Sequence, residues 1–300
     1  TGNLVSNATW RDLWLNEGFT TYFTNRIVEK VFGKELAELE VVLEYGRLKE
    51  AIESTELHAQ TLPANMQTQD PNEAFNRFTY DKASMFVHDL EKRLGRVAFD
   101  KFLYEYVQAF AFEAITTETF VEYAKKTLLV EHSELITEVE LLGWIYGEGM
   151  PEWFIAPTSN SLDKVTEALS AFEAGKAAAE LNTTGWLVHH WQYFLTNLPE
   201  VISHARLKAL DAAFEFTVST NAEIACDWYR VAIRNGYCDV LPAVSDYLVK
   251  IGRGKFVRPL YAELLKAGFN GEIKKIYALA RAGYHPSIVV MLDAQLNAVV

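Results

Sequence analysis

The stretch "DLWLNEGFTTYF", Asp12 to Phe23, sets a carboxylate, Glu17, inside an otherwise apolar helical pattern. Steps of three and four residues place Trp10, Leu13, Trp14, Glu17, Thr21, Thr24, Ile27, Val28 and Val31 on one stripe, because residues so spaced share a helix face. The spacing predicts a helix over 9–32 with a charge on its apolar side. Taking a carboxylate out of water costs on the order of several kcal/mol unless it is paired, hydrogen-bonded or bound to a metal. Glu17 therefore reads either as half of a buried salt bridge to an arginine or as a metal ligand. Thr9 to Asp12 resembles a capping box with Asp in place of Glu, and Gly33 follows the last apolar residue as a stop. Gly18 inside the pattern costs roughly 1 kcal/mol relative to Ala, which implies that another backbone or a ligand comes close at that turn.

Outward from this helix, residues 35–54, 81–94, 96–110, 117–129 and 133–145 also carry apolar residues three and four apart, and strand-like alternation is scarce. The expected fold is all-α. The segment Leu62 to Tyr80 collects prolines and asparagines and reads as a long loop, of the kind that in compact domains is usually functional. A second break, Tyr146 to Ser161, holds two glycines and two prolines and divides the chain into residues 1–150, a linker at 151–161 and residues 162–300. In the last part Gly236, Gly252, Gly268 and Gly283 recur at near-constant spacing after helical patterns and read as C-cap glycines. Short helices at such spacing describe an α-solenoid, with an irregular helical bundle as the alternative.

Half of the 300 residues are hydrophobic, enough for one large or two ordinary cores. A net charge of −12 argues against nucleic acid or an anionic membrane as partner, since both attract basic surfaces. No run of apolar residues is long enough to span a membrane and no signal peptide opens the chain, so it reads as cytoplasmic, a setting in which the sequons at Asn7 and Asn182 carry no meaning. The two cysteines, Cys226 and Cys238, cannot staple a chain of this size and are expected to be buried thiols. None of the seven histidines pairs with another four residues on, as zinc-binding helices require. Of the adjacent His189 and His190, one is expected to pack and the other to be solvated.

The opening words, "TGNLVSNATWRDLWLNEGFTTYFTNRI", closely resemble the segment that follows HExxH in the gluzincin zinc aminopeptidases. The resemblance implies that Glu17, in "WLNEGF", is the third zinc ligand, the two histidines and the general-base glutamate of HExxH lying outside these residues. Two further places resemble the leukotriene A-4 hydrolase type. "DPNEAFNRFTYDKASMF" matches the segment whose last tyrosine stabilises the tetrahedral intermediate, so Tyr80 takes that role. The family's preceding tyrosine falls on Phe75 and an aspartate used in epoxide chemistry on Asn72, departures that speak against epoxide hydrolysis and leave peptide hydrolysis intact. "GRGKFVRPLY" resembles the Arg-x-Lys-Phe element that grips a peptide's free carboxylate, implying that role for Arg253 and Lys255; the plain reading of the two is solvated cations at a helix start.

The resemblance covers essentially all 300 residues. It implies the second half of a thermolysin-like catalytic domain over 1–150, then the helical carboxy-terminal domain over 162–300. On this reading the chain is a fragment of an aminopeptidase acting on short peptides, inactive and without zinc by itself, whereas the complete enzyme carries Zn²⁺. The reading from another class is a helical scaffold that binds proteins on a concave solenoid face, against which the joint presence of Glu17, Tyr80, Arg253 and Lys255 argues.

Overall fold

A computed structural model describes residues 2–64 and 71–297. The described residues are 72% helical, and the sheet among them is one two-residue parallel pair, β1 (Ser6–Asn7) beside β2 (Ala114–Ile115). The chain forms two compact units, residues 1–159 and 160–300. No helix among the described residues is long and apolar enough to cross a membrane.

The first unit contains α1 (Trp14–Phe32), α2 (Lys34–Ser54), α3 (Ala83–Leu94), α4 (Arg96–Phe110), α5 (Thr117–Lys126), the single turn α6 (Leu128–Glu131) and α7 (Glu138–Tyr146). Trp14, Leu15, Gly18, Phe19, Tyr22 and Asn25 form the buried face of α1. Trp14 and Phe19 meet Phe86, Tyr106 and Phe120 there through edge-on and stacked rings, arrangements that the ring quadrupole favours beyond simple burial. α3 is buried on most of its circumference, from Ala83 to Val87 and again at Asp89 and Leu90, so it is the central helix of this unit. A Cβ at Gly18 would lie 2.4 Å from the Ala83 Cβ. The close approach foreseen at Gly18 is thus the backbone of a second helix.

The apolar stripe needs correcting. Ile27, Val31 and Phe32 are exposed, as is Trp10, and the buried face lies one residue round the helix from the expected stripe. Apolar side chains at helical spacing mark a face but do not say whether anything covers it. The entry to α1 also differs from a capping box. Residues 10–12 form a separate 3₁₀ turn, and Asp12 is buried at 1% exposure. Its Oδ2 accepts from Thr9 Oγ1 at 2.7 Å, while its Oδ1 accepts from the Thr117 amide and hydroxyl, both at 2.8 Å. Asp12 thereby caps the start of α5 rather than that of its own helix. Gly33 does end α1, at φ 99°, and a complete capping box, Thr137 with Glu140, starts α7 five residues later than expected. The segment after Tyr146 stays with this unit as far as Ser159, where Phe154 packs edge-on against Trp144 at 5.3 Å.

The second unit is built from α8 (Asp163–Glu173), α9 (Val188–Thr196), α10 (His204–Phe214), α11 (Ala222–Arg234), α12 (Leu241–Lys250), α13 (Gly254–Lys266), α14 (Asn270–Ala280) and α15 (Pro286–Asn297). α11 packs on α9 and on α13, while α12 packs on α14. Helices two apart in the chain therefore become neighbours, the layered arrangement of an α-solenoid. Asn221 caps α11 by accepting from the amides of Glu223 and Ile224, and Ser203 caps α10.

Two of the four regularly spaced glycines are helix stops: Gly236 (φ 67°) and Gly268 (φ 78°), each followed by the reversed backbone bonds of a helix end, Tyr237 N to Ala232 O and Phe269 N to Leu264 O, both 3.0 Å. Gly252 and Gly283 are not. A Cβ on Gly252 would stand 2.9 Å from the Gly283 carbonyl oxygen, so close backbone packing explains that residue where left-handed geometry does not. The cysteines also divide: Cys226 is buried as expected, whereas Cys238 is exposed in the turn after α11. His190 is buried between Ser161 Oγ (2.8 Å) and the Leu187 amide (2.9 Å), and His189 is half-buried.

Candidate functional site

Glu17 lies on the first turn of α1, next to Gly18 and therefore next to the crossing with the start of α3. The chain enters α3 through a π-helical turn, Phe78–Lys82, in place of the plain loop expected up to Tyr80. The Asn76 side chain starts this turn by accepting from the amides of Phe78 (2.9 Å) and Thr79 (3.2 Å). A single π turn widens a helix by one residue and recurs at functional sites. Here it carries Tyr80 to Glu17.

The phenol of Tyr80 stands beside the Glu17 carboxylate, close enough for each to alter the other's acidity. Burial pushes the Glu17 carboxyl up, and the hydroxyl groups of Tyr80 and Thr20 partly offset this. Tyr80 is pushed up to about 12, by burial first and then by the charge of Glu17. Among the described residues no lysine or arginine stands within ion-pair distance of Glu17, so the salt-bridge reading of this carboxylate falls. What remains is a half-buried acid with two hydroxyl groups near it, Tyr80 and Thr20. Such a carboxylate suits a cation as an oxygen ligand, and the phenol beside it suits donation to an oxyanion. Among the described residues no group of three or more His, Cys, Asp or Glu side chains comes together, so a tetrahedral zinc site would draw its other ligands from elsewhere.

Phe75 is 45% exposed and leans on Trp10 with ring centroids 5.7 Å apart. Asn72 lies in the 3₁₀ turn Pro71–Ala74, with its side chain outside the described residues.

The same unit holds inward-facing polar groups that the sequence did not announce. Lys82 is fully buried, with Nζ donating to the carbonyls of Gln60 (2.9 Å) and Gly147 (2.7 Å). Burial lowers it to about 7, against the pull of Glu148. The Glu44 carboxyl is pushed up to about 7, by burial first and by Asp81 second, and accepts from Asn25 Nδ2 at 3.1 Å. The same amide nitrogen lies 3.3 Å from His88 Nε2, and burial lowers His88 to about 4. The one available signal was a charged pair, Asp81-Lys82, heading the small and apolar run Ala83 to Val87. Periodicity assigns such residues to a solvated helix start, and only the tertiary fold, which brings the Gln60 and Gly147 carbonyls to its ammonium, makes Lys82 interior.

In the second unit, Arg253 is the N-cap of α13 and Lys255 lies in its first turn. Both are exposed and flank the ring of Phe256, the guanidinium at 5.9 Å and the ammonium at 5.4 Å from its centroid. Lys255 Nζ donates to Glu223 Oε1 at 2.5 Å. Arg253 has no acidic partner within ion-pair distance among the described residues. The structure thus brings together Glu17 with Tyr80, and Arg253 with Lys255, each pair inside its own unit.

Comparison with known proteins agrees with both halves. Residues 1–140 match the family described as Peptidase family M1 domain, and residues 186–296 match Leukotriene A4 hydrolase, C-terminal. Leucine aminopeptidase 2 of Neosartorya fischeri is 28% identical over 98% of this chain and 49% of its own length. Leukotriene A-4 hydrolase of Xenopus laevis is 31% identical over 88% of this chain and 46% of its own. The chain spans about half the length of the relatives it matches. Yeast leukotriene A4 hydrolase in complex with bestatin shares the fold at a TM-score of 0.82 and 24% identity, over 98% of this chain and 52% of the yeast chain. With an M1 peptidase match followed in the same chain by a leukotriene A4 hydrolase C-terminal match, the chain belongs to peptidase family M1, of the leukotriene A4 hydrolase type.

Proposed function

We propose that these residues are the carboxy-terminal half of a zinc aminopeptidase that removes amino-terminal residues from short peptides. In this reading residues 1–150 complete its catalytic domain and residues 162–300 form its helical domain. The observation that carries it is the Glu17 carboxylate, partly desolvated, without a basic partner among the described residues and beside the Tyr80 phenol. Glu17 would be one ligand of the zinc, two more coming from residues outside this chain. When bound, zinc lowers the pKa of a water toward neutrality and polarises the scissile carbonyl. Tyr80 keeps its proton across the physiological range because burial and the neighbouring carboxylate hold it well above its usual value, so it can donate to the oxyanion as charge develops there. Arg253 and Lys255 would hold the far carboxylate of a short peptide, fixing its position rather than doing chemistry. Phe75 and Asn72 leave epoxide hydrolysis outside the proposal. The 300 residues alone are expected to bind no stoichiometric zinc and to be inactive, since one carboxylate makes too few ligands. A cytoplasmic protein acting on peptides, not on nucleic acid or a membrane, completes the reading.

The test joins these residues to a complete M1 amino-terminal portion. Zinc near one per chain and release of amino-terminal residues are expected, both largely lost on Glu17→Gln. Full zinc retention by Glu17→Gln, with activity intact, refutes the assignment.

A further inference from the structure

The carboxylate grip proposed for the second unit is not two equivalent cations. Lys255 stands 2.5 Å from Glu223 Oε1, a charge-assisted contact of the strong, short kind. Glu223 is itself held in place: its amide donates to Asn221 Oδ1 at 3.0 Å, and its other oxygen, Oε2, accepts from Gln192 Nε2 at 3.3 Å. Gln192 reaches Asp227 Oδ2 as well, at 3.5 Å. The ammonium therefore points to an acid that three helices, α9, α11 and α13, fix from different sides. Arg253, two residues earlier and also near the Phe256 ring, has no acidic partner among the described residues. Its planar fork is free to take a carboxylate through two parallel bonds.

We propose that Glu223 is a specificity-determining residue of the grip: it occupies the Lys255 ammonium, so that Arg253 makes the principal contact with a peptide's terminal carboxylate. This rests on the reading of Arg253 and Lys255 as the carboxylate-binding pair. A peptide anion meeting Lys255 must share it with Glu223 and approach a second negative charge, an unfavourable like-charge contact. The pair is neutral overall, and the arginine alone presents net positive charge. Glu223 thus lowers the affinity for free carboxylates in general and narrows recognition to ligands whose carboxylate fits the Arg253 fork.

The test uses the isotopically labelled 300-residue chain, following the Arg253 Nε–H and Lys255 Nζ resonances in the cold at mildly acidic pH, with R253Q and K255Q fixing the assignments. The probes are N-acetyl-trialanine and its carboxamide. In the wild type the carboxylate peptide is expected to shift Arg253 and leave Lys255 in place, and the amide to shift neither. In Glu223→Gln, which keeps the shape of the side chain and can still bond Gln192, Lys255 also responds and binding tightens by up to about fivefold, the range of an exposed ion pair. A merely structural Glu223 would leave both responses as in the wild type, and that result overturns the inference, as does a Lys255 response with Glu223 intact. An Arg253 unresponsive in both proteins instead sinks the carboxylate-binding reading itself.

Discussion

Changing Gly18 to Ala tests the contact on which the Glu17 and Tyr80 arrangement depends. The added Cβ would lie 2.4 Å from the Ala83 Cβ, 3.1 Å from the Ala83 carbonyl carbon and 3.2 Å from its Cα. Two of these three atoms are backbone, so no rotamer change relieves the contact, and α1 and α3 must separate by about 1 Å to restore ordinary van der Waals spacing. Forcing a methyl group into a packed interface costs about 1–3 kcal/mol, and the upper end applies because rigid helices on both sides must move. Alanine returns about 1 kcal/mol through its better helix propensity. The net loss is about 2 kcal/mol, which for a unit of this size lowers its melting temperature by about 4–8 °C. Ala83→Gly alone costs about 1 kcal/mol, yet combined with Gly18→Ala it removes the worst clash, so the double variant is expected to be more stable than the sum of the two losses predicts. Thermal melting with hydrogen exchange of the α1 and α3 amides reads the effect in the correct unit. A Gly18→Ala protein as stable as the wild type, or losses that simply add, would show that the two helices do not cross at these residues.

Tyr80→Phe, in a chain joined to a complete M1 amino-terminal portion, is expected to lower kcat by roughly 10²–10³ with little change in KM, because it removes a single oxyanion donor and keeps the ring; a variant retaining a third of wild-type kcat assigns Tyr80 to packing. Glu44 sits at about 7 in the folded protein against about 4.3 unfolded, so the folded state holds a proton that the unfolded state gives up between those values, and its contribution to stability is lost as pH rises through that window. Burial of His88 at about 4 acts in the opposite direction, so the measurement is the difference between wild type and Glu44→Gln, which is expected to change by about 1–3 kcal/mol from pH 4.3 to 7; a flat difference refutes the buried placement. In the native chain, Cys238 is expected to react with a thiol reagent at once and Cys226 only on unfolding, since one is exposed and the other buried with its thiol pushed up to about 12; two fast thiols would contradict the packing of α11.

The helices and their stops were legible in the sequence because they depend on local physics. Spacing of three and four marks α1 to α4 within a few residues, and Gly33 stops α1. Glu17, too, announced itself, since a carboxylate within an apolar pattern demands a partner, and its neighbour Gly18 announced a close approach. Which partner and which approach are long-range facts. Periodicity cannot tell that Ile27 and Val31 face outward while Asn25 and Tyr22 face in, because a helix face acquires its burial only from what packs on it. Nor can it show that Asp12 caps a helix more than a hundred residues later, that Lys82 is interior, that Gly252 serves a backbone crossing where Gly236 serves a turn, or that Lys255 is already held by Glu223. Local spacing fixes what each side chain can do, and only the folded chain, by choosing its neighbours and its distance from water, decides which of those possibilities costs least.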